Sequence, residues 1–264
     1  MPERFLDSTV LITGASAGLG GEFARQLARR AGTLILVARR LDRLEALRAE
    51  LARPGLAIEC HAFDLSKPID LAKLLETLQA RPGQIDLVIN NAGLGDHGFF
   101  DESDWNRVGS MIDVNITALT RLTHALLPKL IRAGRGVILN VSSVASFVPV
   151  PRMAVYAATK AYVTSFSEAL RAELRRTGVT VTALCPGPVD TEFFVTAERA
   201  ADSPSMETPE LLKVSAEQVV REALTAAGND RARIVPGWLV WAAMSLAALL
   251  PLIFLRPLLA QKRE

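Results

Sequence analysis

Cysteine and histidine are both scarce in this chain of 264 residues, with two of the former and three of the latter. Cys60 and Cys185 stand far apart in apolar, strand-like runs. That placement excludes a disulfide framework and predicts buried free thiols. His61, His97 and His124 show no ligand spacing, so no metal site is expected. Charge of one sign is lacking too: 30 Lys and Arg against 28 Asp and Glu leave a net +2, and the basic residues are scattered. Nucleic acid is thereby excluded as a partner. Aromatic residues make up only 6%. No long apolar run occurs before Trp238, and Met1-Pro2-Glu3-Arg4 leads into Val10-Leu11-Ile12 without a cleavage site. The expected place of the protein is therefore the cytoplasm. Neither a low-complexity linker nor an internal repeat divides the chain.

What is present is a regular alternation of short apolar runs and amphipathic stretches. Strands are predicted at Thr9–Thr13, Thr33–Ala38, Ala57–Phe63, Leu87–Asn90, Gly136–Val141 and Thr180–Leu184, with a short one near Arg233–Val235. Helical periodicity lies between them, at Leu19–Ala31, Leu41–Leu51, Ile69–Gln79, Trp105–Ala133, Ala154–Thr177 and Ala216–Ala227. Such alternation predicts an α/β fold, a single doubly wound Rossmann-type parallel sheet with helices on both faces. We expect the catalytic domain to occupy 1–236 and an apolar extension 237–264. The segment Glu192–Val214, polar and holding Pro204 and Pro209, lacks a clear period and reads as a loop or lid over the substrate.

Two places carry chemistry. The run Thr13-Gly14-Ala15-Ser16-Ala17-Gly18-Leu19-Gly20 follows the first strand and opens the first helix, where glycines permit a tight turn and unpaired N–H groups can meet a pyrophosphate. The second strand ends Leu36-Val37-Ala38-Arg39-Arg40, without the acidic residue that binds an NAD ribose. A guanidinium fork suits a 2′-phosphate, so NADP(H) is favoured over NAD(H), with Arg39 ahead of Arg40 as the ligand. Farther on, Tyr156 and Lys160 stand four residues apart, on one face of a helix. A cation beside a phenol lowers the phenol's pKa from its usual ~10 toward the working range.

Six ordered segments together resemble the short-chain dehydrogenase/reductase family over about Thr9 to Val235. They are Thr13–Gly20, Asn90-Asn91-Ala92-Gly93, Asn115 within Asp113–Ile116, Ser142-Ser143, Tyr156–Lys160, and Pro186-Gly187-Pro188-Val189-Asp190-Thr191. The resemblance implies a catalytic set of Asn115, Ser143, Tyr156 and Lys160. In it Tyr156 is the general acid or base, Lys160 lowers its pKa and holds the nicotinamide ribose, Ser143 binds the substrate oxygen, and Asn115 holds a water in a proton relay. Ser142 is the alternative hydroxyl. The cofactor would meet Gly14, Ser16, Gly18, Leu19 and Gly20 at the turn, Arg39 and Arg40 at the ribose, and Asp64 and Leu65 at the adenine. Asn91, Ala92 and Gly93 would line its middle, and Pro186, Gly187, Val189 and Thr191 would fix the carboxamide.

The implied function is an NADP(H)-dependent oxidoreductase interconverting a ketone or aldehyde and its alcohol, working as a carbonyl reductase. An oxidative alcohol, hydroxy-acid or steroid dehydrogenase is the alternative within the class, and a non-catalytic nucleotide-binding sensor the alternative outside it. Family resemblance also implies a homodimer or homotetramer built through the two long helices.

The far end departs from that pattern. From Trp238 to Leu255 the chain has eighteen uncharged, mostly apolar residues, roughly 27 Å of helix against a ~30 Å hydrocarbon core. Trp238 and Trp241 flank one end, Arg256, Lys262 and Arg263 the other, and Pro251 would kink it. Three occupations are open to 238–255: contact with a membrane, a cover over the substrate pocket, or packing in an oligomer. Each brings a lipophilic neighbourhood, which favours a lipid-like substrate.

Overall fold

In a computed structural model of the chain, the described residues are 3–189, 191–197 and 213–249. Seven parallel strands form one sheet in the order β3-β2-β1-β4-β5-β6-β7. The strands are β1 (Thr9–Thr13), β2 (Thr33–Ala38), β3 (Ala57–Ala62), β4 (Leu87–Asn90), β5 (Gly136–Val141), β6 (Val179–Leu184) and β7 (Arg233–Ile234). The doubly wound sheet expected from the alternation is therefore the sheet found. The five inner strands β1, β2, β4, β5 and β6 are buried almost throughout, which is why they read as unbroken apolar runs.

Successive strand residues still point to opposite faces. Val10, Ile12, Leu34, Leu36, Ile89 and Leu139 pack with Phe23 and Leu27 of α1 (Gly18–Ala28), Leu44 of α2 (Leu41–Leu51) and Val220 and Leu224 of α8 (Ala216–Gly228). Leu11, Ile35, Val37, Val88, Ile138 and Val181 pack with Leu74 of α3 (Pro68–Ala80), Leu122 and Leu126 of α5 (Leu119–Ala133) and Leu170 of α6 (Ala154–Glu173). One polar chain crosses this second layer. Asn90 Nδ2 donates to Thr123 Oγ1 at 3.0 Å and to Asn140 Oδ1 at 2.8 Å, while Asn140 Nδ2 donates to Ser167 Oγ at 2.9 Å. It pins the ends of β4 and β5 to α5 and α6.

Three expectations are corrected. The helix expected over Trp105–Ala133 is α4 (Trp105–Ile112), a π turn over Asp113–Ala118, and α5. A wide turn adds one residue between hydrogen-bonded partners and leaves the apolar spacing nearly intact, so periodicity does not reveal it. Glu192–Val214 begins as a short helix, α7 (Glu192–Ala197), not a loop; its remainder through 212 lies outside the described residues. Both cysteines are free, but Cys60, on edge strand β3, is only half-buried.

The last described element, α9 (Trp238–Leu249), has 12 residues, about 18 Å of helix. Among the described residues no helix is long and apolar enough to cross a membrane; positions 250–255 of the apolar segment lie outside them. Val240 and Met244 of α9 face the core, whereas Trp238 and Trp241 are exposed.

The polar chain should be a measurable part of stability. Replacing Asn140, which is fully buried, with Val removes the bonds to Asn90 and Ser167 and should cost about 1–3 kcal/mol. Urea denaturation would show this as a lower midpoint at an unchanged slope; an unchanged midpoint would mean the chain is energetically idle.

Candidate active site

Open parallel sheets bind ligands at the carboxyl ends of their strands, where the winding reverses. Here that point lies between β1 and β4. Thr13 Oγ1 accepts from the backbone N–H groups of Asn91 and Ala92, each at 3.0 Å. Asn91 Nδ2 answers by donating to Thr13 O at 2.9 Å and Gly14 O at 3.2 Å. The turn it braces bends through Gly14 (φ +67°) and Gly18 (φ +54°). A Cβ on Gly20 would lie 2.1 Å from Gly14 O, so only glycine allows α1 to start this close to the strand. No side chain caps α1, which leaves its first N–H groups facing the cleft.

A cleft of about 740 Å³ runs from this turn across the strand ends. At one end lie Arg39, Arg40, Phe63, Asp64 and Leu65; in the middle lie Asn91, Ala92 and Gly93. Burial raises the Asp64 pKa, but hydrogen bonds from Ser66 and the charges of Arg39 and Lys67 outweigh it, so the carboxyl stays below its usual range. Every residue expected at the cofactor except Gly20, which packs against Gly14 beneath the turn, lines this cleft, as do Ser143, Tyr156 and Lys160.

At the middle of the cleft, the tip of β5 and the first turns of α6 meet. The Ser143 hydroxyl lies near enough to the Tyr156 hydroxyl to act on its pKa, and its Oγ accepts from Ala145 N at 3.1 Å. Ser142 is turned away: its hydroxyl donates to Lys160 O at 2.8 Å. Tyr156 and Lys160 share a face as their spacing predicts, with the ammonium 5.8 Å from the phenol ring centre. Lys160 Nζ donates to Val141 O at 2.8 Å. Asn115, in the π turn, is nearly inaccessible. Its Oδ1 accepts from Leu94 N at 2.8 Å, and its Nδ2 donates to Leu94 O at 3.0 Å and Thr159 Oγ1 at 2.9 Å. A Cβ on Gly93 would meet Lys160 Nζ at 3.3 Å and Asn115 Oδ1 at 3.4 Å, so glycine there keeps a small space open between amide and ammonium.

Electrostatically the pair differs from the spacing argument. Burial pushes Tyr156 up to about 12, opposed by the neighbouring Ser143 hydroxyl. Burial also pulls Lys160 down to about 8. Desolvation is therefore the dominant influence on both groups.

Several residues of the site carry no local signal in the sequence. Phe193 of α7 lies over Tyr156, ring centres 5.5 Å apart. Glu192 pairs with Arg43 at 2.7 Å and Arg40 at 3.3 Å. Arg107 Nη2 donates to Ala197 O at 2.7 Å, closing the other end of α7, and its Nε meets the buried Asp96 at 3.0 Å. Leu94, Val150, Met153, Phe193 and, from α9, Met244 make the far end of the cleft apolar.

The family model for short chain dehydrogenases matches residues 8–202. A sulfoacetaldehyde reductase of Chromohalobacter salexigens is 41% identical over 189 residues, 70% of this chain and 73% of that one. Among solved structures, a short-chain dehydrogenase from Sphingobium yanoikuyae in complex with NADPH is 34% identical, covers 97% of this chain and 98% of its own, and has a TM-score of 0.80. The bulky-bulky ketone specific alcohol dehydrogenase from Comamonas testosteroni is 30% identical over 97% of this chain and 95% of its own, with a TM-score of 0.76. The chain belongs to the short-chain dehydrogenase family and is by class an oxidoreductase acting on CH–OH groups.

The buried lysine makes a prediction with a definite sign. A free lysine titrates at 10.5 and this one at about 8, a difference of about 3 kcal/mol. The folded state binds fewer protons than the unfolded state between those values, so stability rises with pH across that window and the penalty is full below it. Lys160→Met should thus raise the unfolding free energy of the nucleotide-free protein by about 1–3 kcal/mol near neutral pH, with the gain shrinking toward pH 10.5. Urea denaturation at both pH values checks it. A variant less stable than its parent at neutral pH would mean that the Val141 bond outweighs burial.

Proposed function

We propose that this protein is an NADP(H)-dependent carbonyl reductase acting on a lipophilic ketone or aldehyde. The observation that carries the proposal is the buried Ser143–Tyr156 hydroxyl pair, which opens onto an apolar cleft beside a buried ammonium. Oxygen and proton chemistry need that combination: one hydroxyl to bind the substrate oxygen, and one to give it a proton. With its pKa near 12, Tyr156 is protonated at neutral pH, the state required for reduction.

A bound nicotinamide dinucleotide supplies the hydride for that reduction. The glycine turn fits such a group, since it bends through Gly14 and Gly18 at positive φ and leaves the uncapped first N–H groups of α1 facing the cleft. Gly14, Ser16, Gly18, Leu19 and Gly20 would hold the pyrophosphate, Arg39 and Arg40 the 2′-phosphate, and Asp64 and Leu65 the adenine. Asn91, Ala92 and Gly93 would flank the middle, the first chiefly by bracing the turn. Pro186, Gly187, Val189 and Thr191 would fix the carboxamide, and Tyr156 and Lys160 the adjoining ribose. Asn115 would hold a water with the second lone pair of Oδ1, relaying protons to Lys160.

The NADPH in the Sphingobium neighbour and the two arginines after β2 support the phosphorylated cofactor. For the substrate, the apolar lining supports a lipophilic carbonyl, in keeping with the bulky-bulky ketone specificity of the Comamonas enzyme. A sulfonate like that of sulfoacetaldehyde finds little counterpart here, because Arg107, at the substrate end, is already engaged by Asp96 and the end of α7. We divide the chain at 236 and take α9 as a cover over the cleft, through Met244, in preference to a membrane contact. Homo-oligomers are common in the family, and we carry that expectation to this chain.

NADPH oxidation over a panel of carbonyls tests the proposal. Bulky apolar ketones should be preferred to short anionic aldehydes, and Tyr156→Phe should lower kcat by about 10²–10⁴-fold with nucleotide binding retained. Undiminished turnover by that variant would refute the role of Tyr156; preference for the anionic aldehydes would refute the substrate class.

A further inference from the structure

Glu192 lies on α7, yet its carboxylate reaches across the cleft to the nucleotide side. Arg43 Nη1 donates to both of its oxygens, at 2.7 and 2.8 Å, and Arg40 donates to Oε2 from both Nη1 and Nη2, at 3.4 and 3.3 Å. The same Arg40 Nη2 lies 3.4 Å from Ser16 Oγ in the glycine turn. Hydrogen bonds from Arg43, with a smaller part from Arg40, hold the Glu192 carboxyl below its usual range. An anion therefore already sits where the first turn of α2, the end of β2 and the glycine turn converge. Carboxylates and phosphates are alternative ligands for a guanidinium fork.

We propose that Glu192 is a specificity-determining residue, an internal stand-in for the cofactor's 2′-phosphate, with Arg43 as a further phosphate ligand beside Arg40. This rests on the NADP(H) reading and extends it. A 2′-phosphorylated dinucleotide must displace Glu192 from the two guanidinium groups; an unphosphorylated one leaves the pairs in place. The phosphate, with close to twice the charge, wins the exchange. Glu192 thus weakens NADPH binding selectively and leaves NADH binding alone. Because these pairs are about half exposed, the effect should be several-fold and sensitive to salt.

The test is the dissociation constants of NADPH and NADH, measured by nicotinamide fluorescence without substrate for the full chain and for Glu192→Gln and Arg43→Gln. Expected are a three- to tenfold tighter NADPH complex for Glu192→Gln, a weaker one for Arg43→Gln, and NADH constants within twofold of the parent in both. High salt should narrow the difference between parent and Glu192→Gln. If the parent prefers NADPH but Glu192→Gln leaves the NADPH/NADH ratio unchanged, or weakens both equally, this inference is wrong and the cofactor assignment stands. If the parent binds NADH more tightly than NADPH, the cofactor assignment itself falls, and this inference with it.

Discussion

Everything at the cleft depends on how closely β1 and β4 are tied where the sheet reverses its winding. Thr13 Oγ1 accepts two backbone N–H groups from the β4 end, and the Asn91 amide returns two bonds to the glycine turn. This reciprocal clasp holds the start of α1 against the end of β4, so that a helix N-terminus and the Gly93 backbone share one cleft. Gly93 in turn leaves the space that lets Lys160 and Asn115 approach each other. The glycine turn and the Tyr156–Lys160 end of the cleft are thus placed by one set of hydrogen bonds.

The Tyr156–Lys160 end is held at an energetic disadvantage. A lysine and a tyrosine are both almost completely buried, and each titrates on the unfavourable side of its free value. Packing alone would not choose an ammonium there, since an apolar side chain of equal length avoids the desolvation cost. The cost is met by the rigid parts around it: the Val141 carbonyl at the tip of β5, the Ser142 bond to the Lys160 backbone, and the Asn115 bridge between Leu94 and Thr159. Perturbed pairs held by a rigid frame are the mark of a site shaped by chemistry.

Much of this frame was readable from the chain itself, because it is encoded locally. Buried parallel strands announce themselves as apolar runs, the glycine turn by its spacing, and Tyr156–Lys160 by the helical repeat. Other features were not readable, for two reasons. Contacts such as Glu192 with Arg43 join residues 149 positions apart, and nothing local marks either partner. The π turn that presents Asn115, and the helix that begins at Glu192, arise where tertiary contacts override a weak local preference. The balance of charge at Tyr156 failed for a third reason: spacing gives proximity, whereas the pKa follows burial as well.

The division between legible and illegible parts also separates chemistry from selectivity. Residues that, on the proposed reading, would handle the hydride donor and the proton sit on strand ends and the first turns of α6, where backbone bonds fix them. Those that line the apolar end of the cleft, Phe193 and Met244, come from α7 and α9, which border it as separate short elements. α7 is held by ionic and hydrogen-bonded contacts at its two ends, to Arg40 and Arg43 on one side and to Arg107 on the other. Bonds of that kind can exchange with a charged ligand, which buried apolar packing cannot do. A cover fastened this way can respond to the cofactor while the catalytic frame beneath it stays rigid. On the proposed reading, selectivity therefore belongs to the cover, and the reaction to the sheet.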